Sequence, residues 1–442
     1  VNIVPTHQPT AENAETWAQL LSPAGRALLD KLTTETSYHR EDPLQLATQL
    51  RRDGVDSTLA AAVLTQLKLR EKAHAKFGEF AQHMFFTTDG LQQATRLGVA
   101  AHHARRFQAH GIQHVIDLGC GIGGDAMAFA AIDLQVTAVE VDDITAAVAT
   151  LNLTPFPHAE VIAAEVETWV ADHAEQLSGA GLWLDPARRE VSTAESAHRI
   201  FDPESFSPPL SFVERLADAG HAVGVKLGPG LAHDSIPTTA EAQWVSDHGS
   251  VVEVALWFND LARPRVRRAA LVTTAHGSAE FTSDREFGDD PKVEVRPTPS
   301  VGGYLYEPDG AVIRSGLIRE LMAREFGATA QDSPSWLLDQ HIAYFCSDHL
   351  VDSDFATAYR VVEVLPYHLK KLRAWIAEHG ISRLDIKKRG VDVTPEQLRR
   401  MLMAGTAKTR KKTKAGGHQA TFVLTRIGNS RVALVVEPAE QS

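Results

Sequence analysis

The chain has 442 residues, 44% hydrophobic and 23% charged, too long for one ordinary core and in keeping with roughly three globular domains. Its formal charge of −12 would exclude a polyanionic partner only if it were evenly spread; residues 366–442 carry 16 Lys+Arg against 6 Asp+Glu, a balance of +10 that leaves −22 for the rest, and so predict a polyanion-facing end. Two isolated cysteines, Cys120 and Cys346, exclude a disulfide framework or a zinc motif, and no leader pattern or apolar run of about 18 residues is found, so a cytoplasmic protein without membrane span or metal is expected.

From 12 to 86 the chain reads as helices. Trp17, Leu20, Leu21 and then Ala27, Leu28, Leu32 recur at helical spacing, Pro43 opens another helix, and Leu59, Val63, Leu64 and Leu67 line one face over 55–72. No chemistry is legible in this N-terminal helical region, taken as 1–88, and packing is its expected role. The phrase Phe85-Phe86-Thr87-Thr88-Asp89-Gly90-Leu91-Gln92-Gln93-Ala94-Thr95 follows. Asp89 is placed to cap a helix running to Phe107, and docking ahead of the next strand would bring Thr87, Gln93 or Thr95 over a ligand pocket.

Strands are predicted over 114–118, 135–140, 160–164, 181–185, 221–227, 250–258 and 268–274, with helices centred near Met127, Ala147, Thr168, Phe212 and Ala240. The last two strands have a link too short for a helix and are expected to pair antiparallel. This predicts an α/β domain over 89–278, a Rossmann-like, mostly parallel sheet with a reversed last strand. Residues 279–358 read as a linker with connecting helices: 279–301 is rich in Asp, Glu, Pro and Ser, and a turn signal at Glu307-Pro308-Asp309-Gly310 precedes a helix over 315–326. The tail, 359–442, alternates strand, helix, strand, helix, a basic loop over 407–418, and two strands. That order predicts a C-terminal α+β domain, ferredoxin-like or a relative.

The chemistry gathers on His114-Val115-Ile116-Asp117-Leu118-Gly119-Cys120-Gly121-Ile122-Gly123-Gly124-Asp125, a buried strand, a glycine turn and a helix start: the parts of a nucleotide-binding βα unit. The G-x-G-x-x-G spacing by itself leaves a nicotinamide dinucleotide open. Two carboxylates narrow it. Asp117 at the strand end repels a pyrophosphate but suits a cationic adenosyl ligand, and Glu140, ending the next strand, can accept both ribose hydroxyls. The fourth strand ends in Asp185-Pro186-Ala187-Arg188-Arg189 and the fifth in Lys226, on the same sheet edge. Lys226 is open to three readings: it orients substrate, acts as a base, or pairs with Asp185. Arg188 and Arg189 are open to stacking on a base, clamping a phosphate, or plain solvation.

Residues 115–123, then Val139-Glu140-Val141-Asp142, then Ala164-Glu165, resemble the successive motifs of class I S-adenosylmethionine-dependent methyltransferases. The resemblance implies S-adenosylmethionine as cofactor, with Asp117 and the backbone of Gly119, Cys120, Gly121 and Gly123 at its methionine end, Glu140 with Val141 at the ribose, and Ala164 and Glu165 beside the adenine. Asp185-Pro186 corresponds to the Asp/Asn-Pro-Pro-aromatic motif of amine-directed nucleic-acid methyltransferases, in which side-chain and backbone oxygens accept the amine hydrogens. Here Ala187-Arg188 stand where that motif has its second proline and its aromatic residue.

Gly90-Leu91-Gln92-Gln93-Ala94-Thr95, residues 184–189, Tyr306-Glu307-Pro308-Asp309-Gly310-Ala311 and Leu384-Asp385-Ile386-Lys387-Lys388-Arg389-Gly390 resemble bacterial methyltransferases with a THUMP-like C-terminal domain, similar in their catalytic half to RNA-cap guanine methyltransferases. That implies an RNA methyltransferase with an accessory RNA-binding domain. Asp185, Pro186, Arg188 and Lys226 are then the catalytic candidates, and Lys387, Lys388, Arg389, Lys408, Arg410, Lys411, Lys412 and Lys414 the RNA-binding ones. With Arg399 and Arg400 these eight make ten basic residues within 28, enough to hold a phosphate backbone without reading sequence. Arg263, Arg265, Arg267 and Arg268 form a smaller cluster that would extend the same surface. Two alternatives remain at this point: a methyltransferase of proteins or small molecules, and a degenerate fold kept as an RNA-binding module.

Overall fold

The computed structural model describes residues 11–35, 43–188, 203–296, 301–329, 331, 333–404 and 418–439. They fall into two compact units: one of 1–227, 234–240 and 255–263, the other of 228–233, 241–254 and 264–442. Among the described residues no helix is long and apolar enough to cross a membrane.

The first unit opens with α1 (Ala11–Leu21), α2 (Pro23–Glu35), α3 (Pro43–Arg52) and α4 (Ser57–Phe77), the last capped by Asp56, which accepts from the Thr58 and Leu59 amides. These helices have no core of their own: Leu29, Leu46 and Val63 belong to the same buried cluster as Phe107, Val115 and Trp183. α4 also clamps the loop that follows. The Gln66 amide bonds both the N–H and the carbonyl of Phe86 (3.1 and 2.7 Å), and Arg70 Nε donates to the Met84 carbonyl at 2.9 Å. Buried loop backbone survives only with such partners.

The predicted single helix is instead two, α5 (Thr88–Gln93) and α6 (Leu97–Ala109), and Thr87 rather than Asp89 caps the first by accepting from the Gly90 amide at 3.0 Å. Lys76, reaching from α4, explains the break: its ammonium takes the carbonyls of Leu91, Gln92 and Ala94 at 2.7–2.8 Å and so ends α5. There follow β1 (His114–Leu118), α7 (Gly124–Ala130), β2 (Gln135–Glu140), α8 (Asp143–Leu153), β3 (Ala159–Ala163), α9 (Val166–Asp172), β4 (Gly181–Leu184), the short antiparallel pair β5 (Ala187–Arg188) and β6 (Phe206–Ser207), α10 (Leu210–Asp218) and β7 (Ala222–Leu227). The main strands are parallel in the order β7-β4-β1-β2-β3. Leu118 is level with Val139 on one side and Leu184 on the other, so β1, β2 and β4 end on one edge.

In the second unit come β8 (Glu241–Asp247), β9 (Ser250–Phe258, whose residues 255–258 count to the first unit), β10 (Arg268–Thr274) and β11 (Gly277–Ser283). Two expectations change here. The helix placed near Ala240 is the strand β8, because His248 and Gly249 take positive φ (50° and 77°) and close a two-residue hairpin into β9. β8 lies between β9 and β10, pairing parallel with the latter, so β9 and β10 do not pair and the reversal is within the β8–β9 hairpin. The stretch over 279–301 read as linker begins as β11, antiparallel to β10.

The rest of this unit is β12 (Tyr304–Pro308), α11 (Gly310–Arg314), α12 (Ile318–Glu325), β13 (Ser335–Asp339), β14 (Ile342–Ser347), β15 (Ala356–Pro366), α13 (Leu369–Glu378), β16 (Ile381–Lys388), α14 (Pro395–Met403), β17 (His418–Ile427) and β18 (Ser430–Pro438). The stretch over 279–358 read as a linker with connecting helices instead supplies three strands, and one seven-stranded sheet, β13-β14-β12-β15-β18-β17-β16, joins them to those of the tail. The Glu307-Pro308-Asp309-Gly310 phrase ends β12 and starts α11. Glu307 takes Lys387 at 2.6 Å, Arg389 at 3.9 Å and the Tyr344 and Tyr359 hydroxyls at 3.4 Å. Asp309 caps α11 through the Ala311 amide (2.7 Å) and accepts from Ser246 Oγ (3.0 Å), while a methyl on Gly310 would overlap Val251. Glu307→Ala strands two cations among tyrosines and is expected to cost about 1–2 kcal/mol in urea unfolding. A variant as stable as the wild type would remove this account of the phrase.

Candidate active site

At the end of β1 the chain turns through Gly119, Gly121 and Gly123, all in the left-handed region (φ 93°, 56° and 84°), which side chains other than glycine's resist. The Gly119 and Cys120 amides donate to the Val139 carbonyl (2.9 and 3.0 Å), pinning the turn to β2. Cys120 is buried, and burial, then Asp117 and Glu140, push its thiol far up, so it packs rather than reacts.

Asp117 is 1% exposed, and among the described residues neither carboxylate oxygen has a hydrogen-bond partner. Its pKa is pushed well above the usual carboxylate range, first by burial, then by repulsion from Asp125 and Asp185, with Lys226 opposing. Glu140 is also raised, chiefly by burial, against the hydrogen bonds it accepts from the Asp142 and Gly121 amides, both 2.9 Å. Those amides fix its two oxygens. Val141 beside it is an exposed apolar side chain. The Ala164 amide bonds the Glu140 carbonyl at 3.0 Å. Glu165 caps α9: burial opposes its ionisation, yet hydrogen bonds from Glu167 and Thr168 pull it down to about 2.

Asp185 follows β4 directly. A Cβ on Gly119 would stand 3.7 Å from the Asp185 carbonyl oxygen, which puts the glycine turn and the Asp-Pro step in contact range. Lys226, near the end of β7, forms an ion pair with Asp185, and its ammonium also donates to Thr95 Oγ1 at 2.9 Å. Of the three readings of Lys226, the pair with Asp185 is the contact the structure displays. Pro186 is buried, and Ala187 and Arg188, standing where a second proline and an aromatic were considered, pair with Ser207 and Phe206. Arg189 lies outside the described residues. Three participants were not picked out from the sequence: Lys76, His103 and the side chain of Asp125. Lys76 is pulled down to about 8 by burial and by the Lys226 and Arg96 charges.

The basic candidates divide. Lys387 and Arg389 are turned to Glu307, and the Glu307 and Tyr359 hydrogen bonds raise the Lys387 pKa against the effect of burial. Lys388 and Arg400 are exposed. Lys408, Arg410, Lys411, Lys412 and Lys414 lie outside the described residues. In the arginine cluster expected to extend the surface, Arg267 is buried against Glu286 and Arg268 against Asp290 and the Gly316 carbonyl, because β10 begins inside the unit.

Residues 356–438 match the THUMP domain-like family, and 13–73 match a domain of unknown function. Two uncharacterized S-adenosylmethionine-dependent methyltransferases of Mycobacterium tuberculosis, from strains CDC 1551 / Oshkosh and ATCC 25618 / H37Rv, are each 29% identical to this chain over 370 residues, covering 81% of it and 91% of their own length. The crystal structure of a candidate methyltransferase from Porphyromonas gingivalis W83 superposes with a TM-score of 0.69 over 93% of this chain and 98% of that one, at 19% identity. The chain has the fold of that methyltransferase structure, resembles S-adenosylmethionine-dependent methyltransferases over most of its length, and ends in a THUMP-like domain. The residues at this sheet edge fit S-adenosylmethionine: a buried carboxylate without a hydrogen-bond partner among the described residues suits a cationic amino acid, the glycine turn lets a ligand approach the backbone, and Val141 offers an apolar surface beside Glu140.

Proposed function

We propose that this methyltransferase modifies a nucleotide in structured RNA, such as rRNA or tRNA. The observation that carries the reading is the THUMP-like domain on a class I methyltransferase sheet, at the end of the chain that holds its excess positive charge. In this reading Asp117 faces the cofactor's ammonium, the Gly119–Gly123 backbone lies along its methionine end, and Glu140 accepts the ribose hydroxyls. Ala164 lies beside the adenine through its backbone, and so does Glu165, whose carboxylate is spent on α9. When bound, S-adenosylmethionine supplies a sulfonium-activated methyl group. Asp185 and the carbonyl at the Asp-Pro step would orient the acceptor, and Lys226 holds the Asp185 carboxylate in place.

Two measurements test this. Labelled methyl groups are expected to enter total RNA from a strain lacking the gene, with the product found by nucleoside mass spectrometry; label entering protein alone would overturn the RNA assignment. RNA affinity should also fall steeply with salt, by a log–log slope of about −0.7 to −0.9 per phosphate neutralised. Replacing Lys408, Arg410, Lys411, Lys412 and Lys414 together should flatten that slope, and an unchanged slope would take these five residues out of the interface.

A further inference from the structure

We propose that Thr95, backed by the buried Asp125–His103 pair, is a positioning residue that fixes the Lys226 ammonium on Asp185. The side chains form a single chain of contacts running from α6 to the end of β7. His103 Nδ1 lies 2.8 Å from Asp125 Oδ1, Thr95 Oγ1 donates to Asp125 Oδ2 at 2.6 Å, and Lys226 Nζ reaches both Thr95 Oγ1 and Asp185. Donor chemistry fixes its direction. An ionised carboxylate only accepts, so His103 must carry its proton on Nδ1 and Thr95 must turn its hydroxyl hydrogen to Asp125. The lone pairs of Thr95 Oγ1 are then left facing Lys226, which can only donate.

Burial gives the arrangement its rigidity. His103 is 1% exposed and Asp125 and Thr95 are 6% exposed, and the His103 ring packs 4.2 Å from that of Trp183. Asp125 is held below the ordinary carboxylate range despite its burial, through His103, Lys226 and the Thr95 hydroxyl, so it stays an acceptor. Thr95 stands in the break between α5 and α6 that Lys76 creates, which explains why the helix is interrupted there. Among the described residues, the charged groups whose fields reach Lys226 include Asp185 just after β4, Asp117 from β1, Asp125 from α7 and Lys76 from α4. Thr95 is a neutral contact among these charges, and it selects the position of the ammonium.

The inference rests on the proposed role of Asp185 but is tested without substrate. Trace acetylation with acetic anhydride from about pH 7 to about pH 10, quantified by mass spectrometry, compares Lys226 with exposed Lys370 in the full chain. Thr95→Val is expected to raise the reactivity of Lys226 about tenfold at a given pH and to lower its titration midpoint, since the ammonium loses one acceptor. Thr95→Ser should restore both. A Thr95→Val profile equal to the wild type, or a Thr95→Ser variant that fails to restore it, overturns the positioning role. Melting temperature and S-adenosylhomocysteine affinity are followed alongside: absence of S-adenosylhomocysteine binding in the wild type would sink the cofactor reading and leave the Lys226 result standing on its own.

Discussion

Asp117→Asn is expected to weaken S-adenosylhomocysteine binding about a hundredfold while making the ligand-free protein more stable. The two effects have one cause. Asp117 is buried with neither oxygen paired, so its charge is costly until a cation arrives, and burial and the neighbouring carboxylates raise its pKa. Removing one partner of a desolvated charge pair typically costs about 2–5 kcal/mol of binding, hence the hundredfold. The stability sign follows from proton linkage. Between the unfolded pKa and the raised folded one, the folded protein holds a proton that the unfolded chain has lost, so stability is full below that window and falls as pH rises through it. Asparagine removes the titration and with it that pH-dependent penalty, about 1.4 kcal/mol for each unit by which folding raises the pKa, for an expected gain of about 1–3 kcal/mol at neutral pH. The ligand ammonium binds the ionised carboxylate, so wild-type affinity should rise with pH until the raised pKa is passed, and each binding event should release a proton, read by calorimetry in two buffers of different ionisation enthalpy. Buffer-independent heats with pH-independent affinity, or an Asp117→Asn variant that melts no higher than the wild type, would remove Asp117 from the ammonium site.

Much of the catalytic unit was legible because its signals are local. The strands at 114–118 and 135–140 fall where short apolar runs put them, and the glycine turn follows from spacing alone. What the sequence hid depends on residues far apart in the chain. The break in 88–109 comes from Lys76, an unremarkable charge in the last turn of α4, reaching three carbonyls of another helix. β8 misled because four of its seven buried residues, Glu241, Gln243, Ser246 and Asp247, are polar, so it lacks the apolar run that marks a buried strand. Basic residues show the converse: charge counts are visible in sequence, whereas the partners such charges meet, Glu307 for Lys387 and Asp290 for Arg268, are set by tertiary pairing. Asp125 was in view from the start as the end of the glycine motif, but its role needed His103 and Thr95 beside it.

Asp185→Ala is expected to lower methyl transfer into RNA by about a hundredfold to a thousandfold, the scale of losing one preorganised acceptor at a reacting group. S-adenosylhomocysteine affinity should stay the same or tighten slightly, because Asp185 adds to the repulsion on Asp117 and its removal eases that charge. A fall in both would make the residue structural instead. Lys226→Met should approach the same loss by a different route, since it leaves Asp185 without the cation that holds it. The decisive comparison is the double variant. If Lys226 acts by placing Asp185, the Asp185→Ala/Lys226→Met protein should be no slower than Asp185→Ala alone, because a positioning residue has nothing to position once its target is gone. Losses that multiply would instead give Lys226 its own contact with the acceptor and return it to the roles of base or substrate ligand.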